Sequence, residues 1–177
     1  MKIKNLLSAA ILAGTFLNFG LLAKPAFSAK YEVKKNESVS SISETIVGQS
    51  IANYLTIAET GSLHDLMLDL QDNTIETAFY DFIKNSGSLY NVNINLKNNF
   101  ITDSESNKSS FIYTTNYINN LNLTMKNNEI SSSDYFIMNA AGKINSITLN
   151  LVGNDFSKSN SIIQNSVQNN LHNFIST

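Results

Sequence analysis

The sequence predicts an all-β fold in which short strands stack as successive turns of a solenoid. Three observations predict it. First, LMLDLQDNTI at Leu66–Ile75 returns as VNINLKNNFI at Val92–Ile101, LNLTMKNNEI at Leu121–Ile130 and ITLNLVGNDF at Ile147–Phe156, with steps of 26, 29 and 26 residues between starts. A fixed period in this range is the mark of a solenoid. Second, apolar residues alternate with polar ones inside each copy: Leu66, Leu68, Leu70; Val92, Ile94, Leu96; Leu121, Leu123, Met125; Ile147, Leu149, Leu151. Period two places one face inward and the other outward, so each copy reads as a half-buried strand. Third, Asn follows three positions after the last inward residue in every copy, as Asn73, Asn99, Asn128 and Asn154. Asn tolerates a left-handed backbone and bonds its own turn, so this column is expected to be structural.

From the N-terminus, residues 1–29 read as a secretory signal. Lys2 and Lys4 give a charged start, Leu6–Leu22 an apolar run, and Ala26-Phe27-Ser28 a small-x-small cleavage site that leaves a mature chain beginning near Ala29 or Lys30. A retained anchor is the alternative, although Gly14 and Gly20 interrupt a short run. No later stretch is apolar enough to span a bilayer as a helix, so no stable span is expected after cleavage. Residues 30–60 read as a leader and capping segment. Tyr31–Ser40 is polar, with little order expected. From Ser41 to Ala58, the residues Ile42, Ile46, Val47, Ile51, Tyr54 and Leu55 recur at three to five, and Ser41 and Glu44 have capping-box spacing. A short amphipathic helix there would cover the open end of the stack. The rival reading is a degenerate first coil, because Tyr54, Ile57 and Gly61 lie 26 residues before Tyr80, Ile83 and Gly87.

Residues 61–177 carry the repeats. Two further columns run in step with the strands: Phe82-Ile83, Phe111-Ile112, Phe136-Ile137 and Ile162-Ile163; and Leu63, Leu89, Ile118 and Ile144, continued by Leu171, with Phe174 where the next strand would begin. The extra length of the 29-residue copy falls in Thr102–Ser110. Thr102, Asp103, Ser104, Glu105, Ser106, Asn107 and Lys108 are therefore read as a projecting loop and a candidate contact site. The last coil looks incomplete, and self-association through the C-terminal end is expected.

Composition narrows the function. Charged residues make up 15% of the chain, net charge is −2, and there is neither Arg nor Cys. Nucleic-acid binding is not expected, because it needs a basic face. Bidentate phosphate recognition by Arg, disulfides and thiolate chemistry are excluded. Asp65, Asp69, Asp72, Glu76 and Asp81 crowd one coil. Carboxylates can serve calcium or acid–base chemistry, but no other coil supplies one in the same column, and a solvated acidic face is the reading preferred. His64 and His172 fall in one column; at about 4.8 Å per coil they lie about 20 Å apart and cannot share a metal. Ser131–Ser133 lies in no nucleophile motif. Tyr80, Tyr90, Tyr113, Tyr117 and Tyr135 are candidate contact residues. Asn122–Thr124 matches a glycosylation acceptor, read as chance. No catalytic residue, cofactor or metal is expected.

Two solenoids fit the period. The leucine-rich repeat wants an apolar residue at Asp65, Asn91, Asn120 and Ser146, where all four are polar. A right-handed parallel β-helix with coils of about 26 residues accommodates the longer alternation and is preferred. Through its alternating strand, Asn column and Phe-Ile column, Gly61–Phe174 resembles bacterial surface β-helix proteins, especially autotransporter adhesin passengers. The resemblance implies an exported, non-enzymatic interaction protein, periplasmic, on the cell surface or secreted, with a protein or glycan ligand. It also implies a C-terminal outer-membrane barrel, which this sequence lacks, so a truncated passenger is one expectation. A carbohydrate-active β-helix enzyme, of polysaccharide lyase or hydrolase type, is the alternative.

Overall fold

The computed structural model describes residues 29–77, 81–102, 110–131, 135–140, 142–157, 161–165 and 174–176. Among these residues every regular element is a strand, and no helix is long and apolar enough to cross a membrane. The first coil holds β1 (Tyr31–Val33), β2 (Ser38–Val47) and β3 (Ser50–Ala52). The second holds β4 (Leu55–Ile57), β5 (Ser62–Gln71) and β6 (Thr74–Glu76). The third holds β7 (Ile83–Asn85), β8 (Ser88–Lys97) and β9 (Phe100–Thr102). The fourth holds β10 (Ile112–Thr114), β11 (Tyr117–Lys126) and β12 (Glu129–Ser131). Then follow β13 (Tyr135–Asn139), β14 (Lys143–Ile144), β15 (Ile147–Val152), β16 (Ser161–Asn165) and β17 (Phe174–Ser176).

Each coil visits three sheets in turn, so the strand orders step through the chain by coil: β1-β4-β7-β10-β13-β16, a long sheet β2-β5-β8-β11-β15-β17, and β3-β6-β9-β12. The pairings are parallel. The result is a β-solenoid of about four turns, with one strand from each of the first four coils in each sheet. The repeat register holds throughout: Leu66, Val92, Leu121 and Ile147 are aligned neighbours, with Ile42 before them and Phe174 after.

The alternation builds the core. Leu66, Leu68, Leu70, Val92, Ile94, Leu96, Leu121, Leu123 and Met125 are all buried, whereas the residues between them lie at the surface or only partly covered. Phe82, Phe111 and Phe136 stack nearly parallel, with ring centroids 4.7 Å apart at each step. Ile83, Ile112, Ile137 and Ile163 align beside them. Leu63, Leu89, Ile118 and Ile144 form the third apolar column.

The polar residues at Asp65, Asn91 and Asn120 mark a corner. There two successive residues leave the core, and Asn91 and Asn120 adopt positive φ (48° and 58°). Two short arms are thereby joined into one ten-residue strand that bends without breaking.

The Asn column occupies the expected register, but the left-handed backbone falls one residue earlier. Asp72, Asn98 and Asn127 have φ of 56°, 53° and 54°, and Gly48 and Gly153 take the same conformation at 64°. That turn aims the next side chain into the core. Asn73, Asn99 and Asn128 are 2% exposed and form a ladder along the solenoid. Each Oδ1 accepts a backbone N–H from the coil before: Asn73 N–H donates to Asn99 (2.9 Å), Asn99 N–H to Asn128 (2.8 Å), Asn128 N–H to Asn154 (2.9 Å). Each Nδ2 donates both to the Oδ1 of the next rung and to the carbonyl of the last inward strand residue of the coil before, as Asn128 does to Asn154 Oδ1 (2.8 Å) and Leu96 O (3.0 Å).

The expected helix over Ser41–Ala58 is replaced by β2, β3 and β4, so the rival reading, a degenerate first coil, holds. Tyr31–Ser40 is likewise part of that coil and no leader: β1 pairs with β4, and Val33 is 2% exposed. Repeats therefore begin at Tyr31, ahead of residue 61. Gly61 stacks over Gly87 as expected, and so closely that a Cβ on Gly87 would lie 2.3 Å from the Gly61 carbonyl oxygen. Tyr54 and Ile57 are shifted by two residues from their expected register, pairing with the positions of Phe82 and Asn85. The cause is the link between β4 and β5, residues 58–61, which is two residues longer than the link between β7 and β8, residues 86–87.

The two faces of the strand predict different costs. Asn128→Ala removes rungs on both sides and leaves buried partners unmatched, so stability should fall by about 1–3 kcal/mol. Asn122→Ala, on the outer face, should change it by no more than about 0.5 kcal/mol. Urea denaturation of the two variants checks the difference.

Candidate functional site

Two places on the solenoid gather polar side chains with a defined geometry. One is the outer face of the long sheet. Because coils stack in register, each outward position becomes a column. Ser43, Met67, Asn93, Asn122 and Thr148 form one, and Thr45, Asp69, Asn95, Thr124 and Asn150 its neighbour. Apart from Met67 these are short amides, hydroxyls and one carboxylate. Stacked strands lie about 4.8 Å apart, so amides in one column reach each other: Asn122 Nδ2 donates to Asn93 Oδ1 at 3.0 Å. At the corner Asn91 Nδ2 donates to Asp65 Oδ1 (3.0 Å) and Asn120 Nδ2 to Asn91 Oδ1 (3.3 Å). A primary amide has two donors and two acceptor lone pairs. Rung formation uses part of that capacity, and the remainder faces outward.

Beside the corner, His64 stacks on Tyr90 (5.1 Å between centroids) and Tyr90 meets Tyr117 edge-on (5.7 Å). These ring contacts join residues of three successive coils, so the ladder braces neighbouring coils. Tyr113 lies outward on β10 and is half-buried. The positions expected for Tyr80, Ser132, Ser133, His172, Leu171 and the loop residues Asp103, Ser104, Glu105, Ser106, Asn107 and Lys108, and the side chain of Tyr135, lie outside the described residues. Thr102 ends β9, with its carbonyl accepting from Thr77 N–H at 2.8 Å.

Three of the crowded carboxylates of the second coil stand in columns with asparagines, while Glu76 aligns with Thr102. Asp65, Asp69 and Asp72 align with Asn91, Asn95 and Asn98 of the next coil. Asp72 accepts from Asn98 Nδ2 at 3.0 Å. That bond, another from Gln71 and the nearby Lys97 charge hold its carboxyl below the usual carboxylate range. Asp81 Oδ1 accepts from Ser110 N–H. Among the described residues no three His, Asp or Glu side chains are placed to hold a metal ion.

The second polar place lies at the N-terminal end, and the sequence reading missed it. Glu44 points inward from β2, aligned with Leu68 and Ile94 on the next coils. Its carboxylate is ion-paired with Lys30. Tyr54 Oη donates to it at 2.8 Å and Tyr31 Oη at 3.3 Å. Lys30 Nζ also lies 5.6 Å and 5.7 Å from the Tyr31 and Tyr54 ring centroids, within cation–π range. Partial burial pushes the Glu44 carboxyl up, but the hydrogen bonds and the Lys30 charge outweigh it and leave the group below its ordinary value. Burial, reinforced by the Glu44 carboxylate, drives the Tyr54 phenol upward. The available signal was Ile42-x-Glu44-x-Ile46, a strand alternation carrying one charge at an inward position.

No family model, curated protein or solved structure matches this chain.

Because Glu44 is depressed in the folded state, its contribution is present above its unfolded value and is lost as pH falls through the folded one. The first coil should therefore loosen in acid before the rest. Amide exchange at Tyr31–Val33 should accelerate relative to β8 as the pH is taken below about 4, the ordinary carboxylate range. Glu44→Gln should abolish that differential response.

Proposed function

We propose that this is an exported, non-enzymatic β-solenoid, an adhesin-like surface or extracellular interaction protein whose contact surface is the outer face of the long sheet. The observation that carries this reading is the pair of outward columns running through Asn93, Asn122 and Thr148 and through Asn95, Thr124 and Asn150. They repeat the same short donors and acceptors on a backbone fixed by coil-to-coil pairing. Such an array meets a repetitive polar partner, a glycan or an extended protein segment, at several equivalent points with little entropy lost in ordering the side chains. Its low charge suits contact by hydrogen bonding better than electrostatic capture.

The enzyme alternative needs carboxylates from neighbouring coils converging on one groove. Asp65, Asp69 and Asp72 are each followed in the next coil by an asparagine, which favours the non-enzymatic reading. Self-association through the C-terminal end belongs to the same proposal: among the described residues β17 is the last strand of the long sheet, and an edge strand is a template for another chain. Export rests on the signal-like residues 1–29, with a cell-surface, periplasmic or secreted destination.

Two measurements test the reading. N-terminal sequencing of the protein from culture supernatant or envelope should begin near Ala29 or Lys30; recovery of Met1 would count against export. Binding of the purified protein to intact cells and to a glycan array should fall at least about tenfold in the double variant Asn93→Lys/Asn122→Lys, with the thermal midpoint nearly unchanged, since both positions lie on the outer face. Undiminished binding would remove this face from the account.

A further inference from the structure

We propose that the Glu44 cluster is an end stop, a charged plug that keeps a second copy of this chain from adding to the N-terminal edge of the solenoid. Among the described residues β1, β2 and β3 are the terminal strands of the three sheets at that edge. β2 is ten residues long, and such an edge offers a row of backbone donors and acceptors to any chain able to pair with it. Around it Tyr31, Val39, Ile42 and Ile51 are only half-covered, although each packs against the core. Backbone and apolar surface alike would favour another coil settling on top.

The first coil departs from the later ones at the positions that would oppose this. In the column that reads Leu68, Ile94, Leu123 and Leu149, it carries Glu44. The column that reads Phe82, Phe111 and Phe136 continues in the second coil as Tyr54, which stacks on Phe82 at 5.3 Å, and beyond it the first coil places the Tyr31 ring, 5.3 Å from Tyr54. The substitutions are coordinated: the two hydroxyls and the Lys30 ammonium all meet the Glu44 carboxylate. The described residues that are fully buried include no charged side chain, so Glu44 and its partner stand apart from the core they terminate. A second copy seated here would cover the ion pair and strip water from a carboxylate and an ammonium, and its own apolar underside or polar plug would return no matching partner. Inward-pointing charge is one of the devices that keep sheet edges from pairing. The capping-box spacing of Ser41 and Glu44 thus has another meaning: the glutamate closes a solenoid end.

The test is the mass of the purified protein by sedimentation velocity at neutral pH, across a range of concentrations. Glu44→Leu, which continues the leucine column to the edge, should at least double the weight-average mass relative to the parent protein under the same conditions. Adding Ile51→Glu should return it to the parent value, which locates the new contact at this end and separates it from association through β17. Glu44→Gln, of the same shape without the charge, should lie between the two and carries the test if the leucine variant does not fold. Lys30→Ala leaves the carboxylate in place and should not associate beyond the parent. A Glu44→Leu or Glu44→Gln protein with parental mass at every concentration overturns the proposal, as does association that Ile51→Glu fails to reverse. Neither result bears on binding by the outer face.

Discussion

A turn in a stacked β-structure must dispose of backbone N–H and C=O groups that no longer point along a ladder. Here the difficulty is met by one side chain per coil. The residue before it turns left-handed, and Asn73, Asn99 or Asn128 enters the core, where its polar partners are the neighbouring rungs and the backbone. Its oxygen receives the N–H of the coil behind, and its amide nitrogen answers a carbonyl that the turn would strand. An unpaired buried polar group costs about 1–3 kcal/mol, so a missing rung is felt on both sides. The ladder also fixes register. A coil displaced by one residue would bring an outward side chain to the rung and lose the bonds.

Everything else is arranged around that alignment. With register fixed, the apolar columns coincide and the phenylalanine rings meet at 4.7 Å. With the core filled by one face of each strand, the other face is free of packing demands and can carry repeated amides and hydroxyls. The exposed large apolar residues, Val47, Met67, Phe100 and Val152, do not align as one column. The ends are the exception to repetition. At the N-terminal end tyrosine replaces phenylalanine and glutamate replaces leucine, so the stack terminates in polar atoms that bond one another.

Much of this was readable from residue order. Alternation gave the strands, and the recurrence of Asn and Phe-Ile gave the register, because in a parallel stack equal positions must touch. The first coil was harder. Ile42 and Ile46 are four apart, a spacing that satisfies one face of a helix and one face of a strand alike. The neighbours β5 and β6 decide the matter by offering β2 and β3 a ladder. The length of the link after β4 then hid the register of Tyr54 behind a two-residue offset. The left-handed position was misplaced by one because Asn occurs at both sites in two coils, Asn98-Asn99 and Asn127-Asn128; Asp72-Asn73 and Gly153-Asn154 separate the roles. The carboxylates of the second coil looked like a cluster in one dimension. In three, Asp65, Asp69 and Asp72 stand in separate columns, each followed by an asparagine of the next coil.

The central claim is that buried side-chain amides tie each coil to the next. Native-state hydrogen exchange reads it directly, at the backbone N–H groups of Asn73, Asn99 and Asn128, whose acceptors are side-chain oxygens of the following coil. The account predicts that these amides exchange as slowly as those of Val92 and Leu123 in the middle of the long sheet. Exchange at the rate of open turn amides, with the strands still protected, would contradict it.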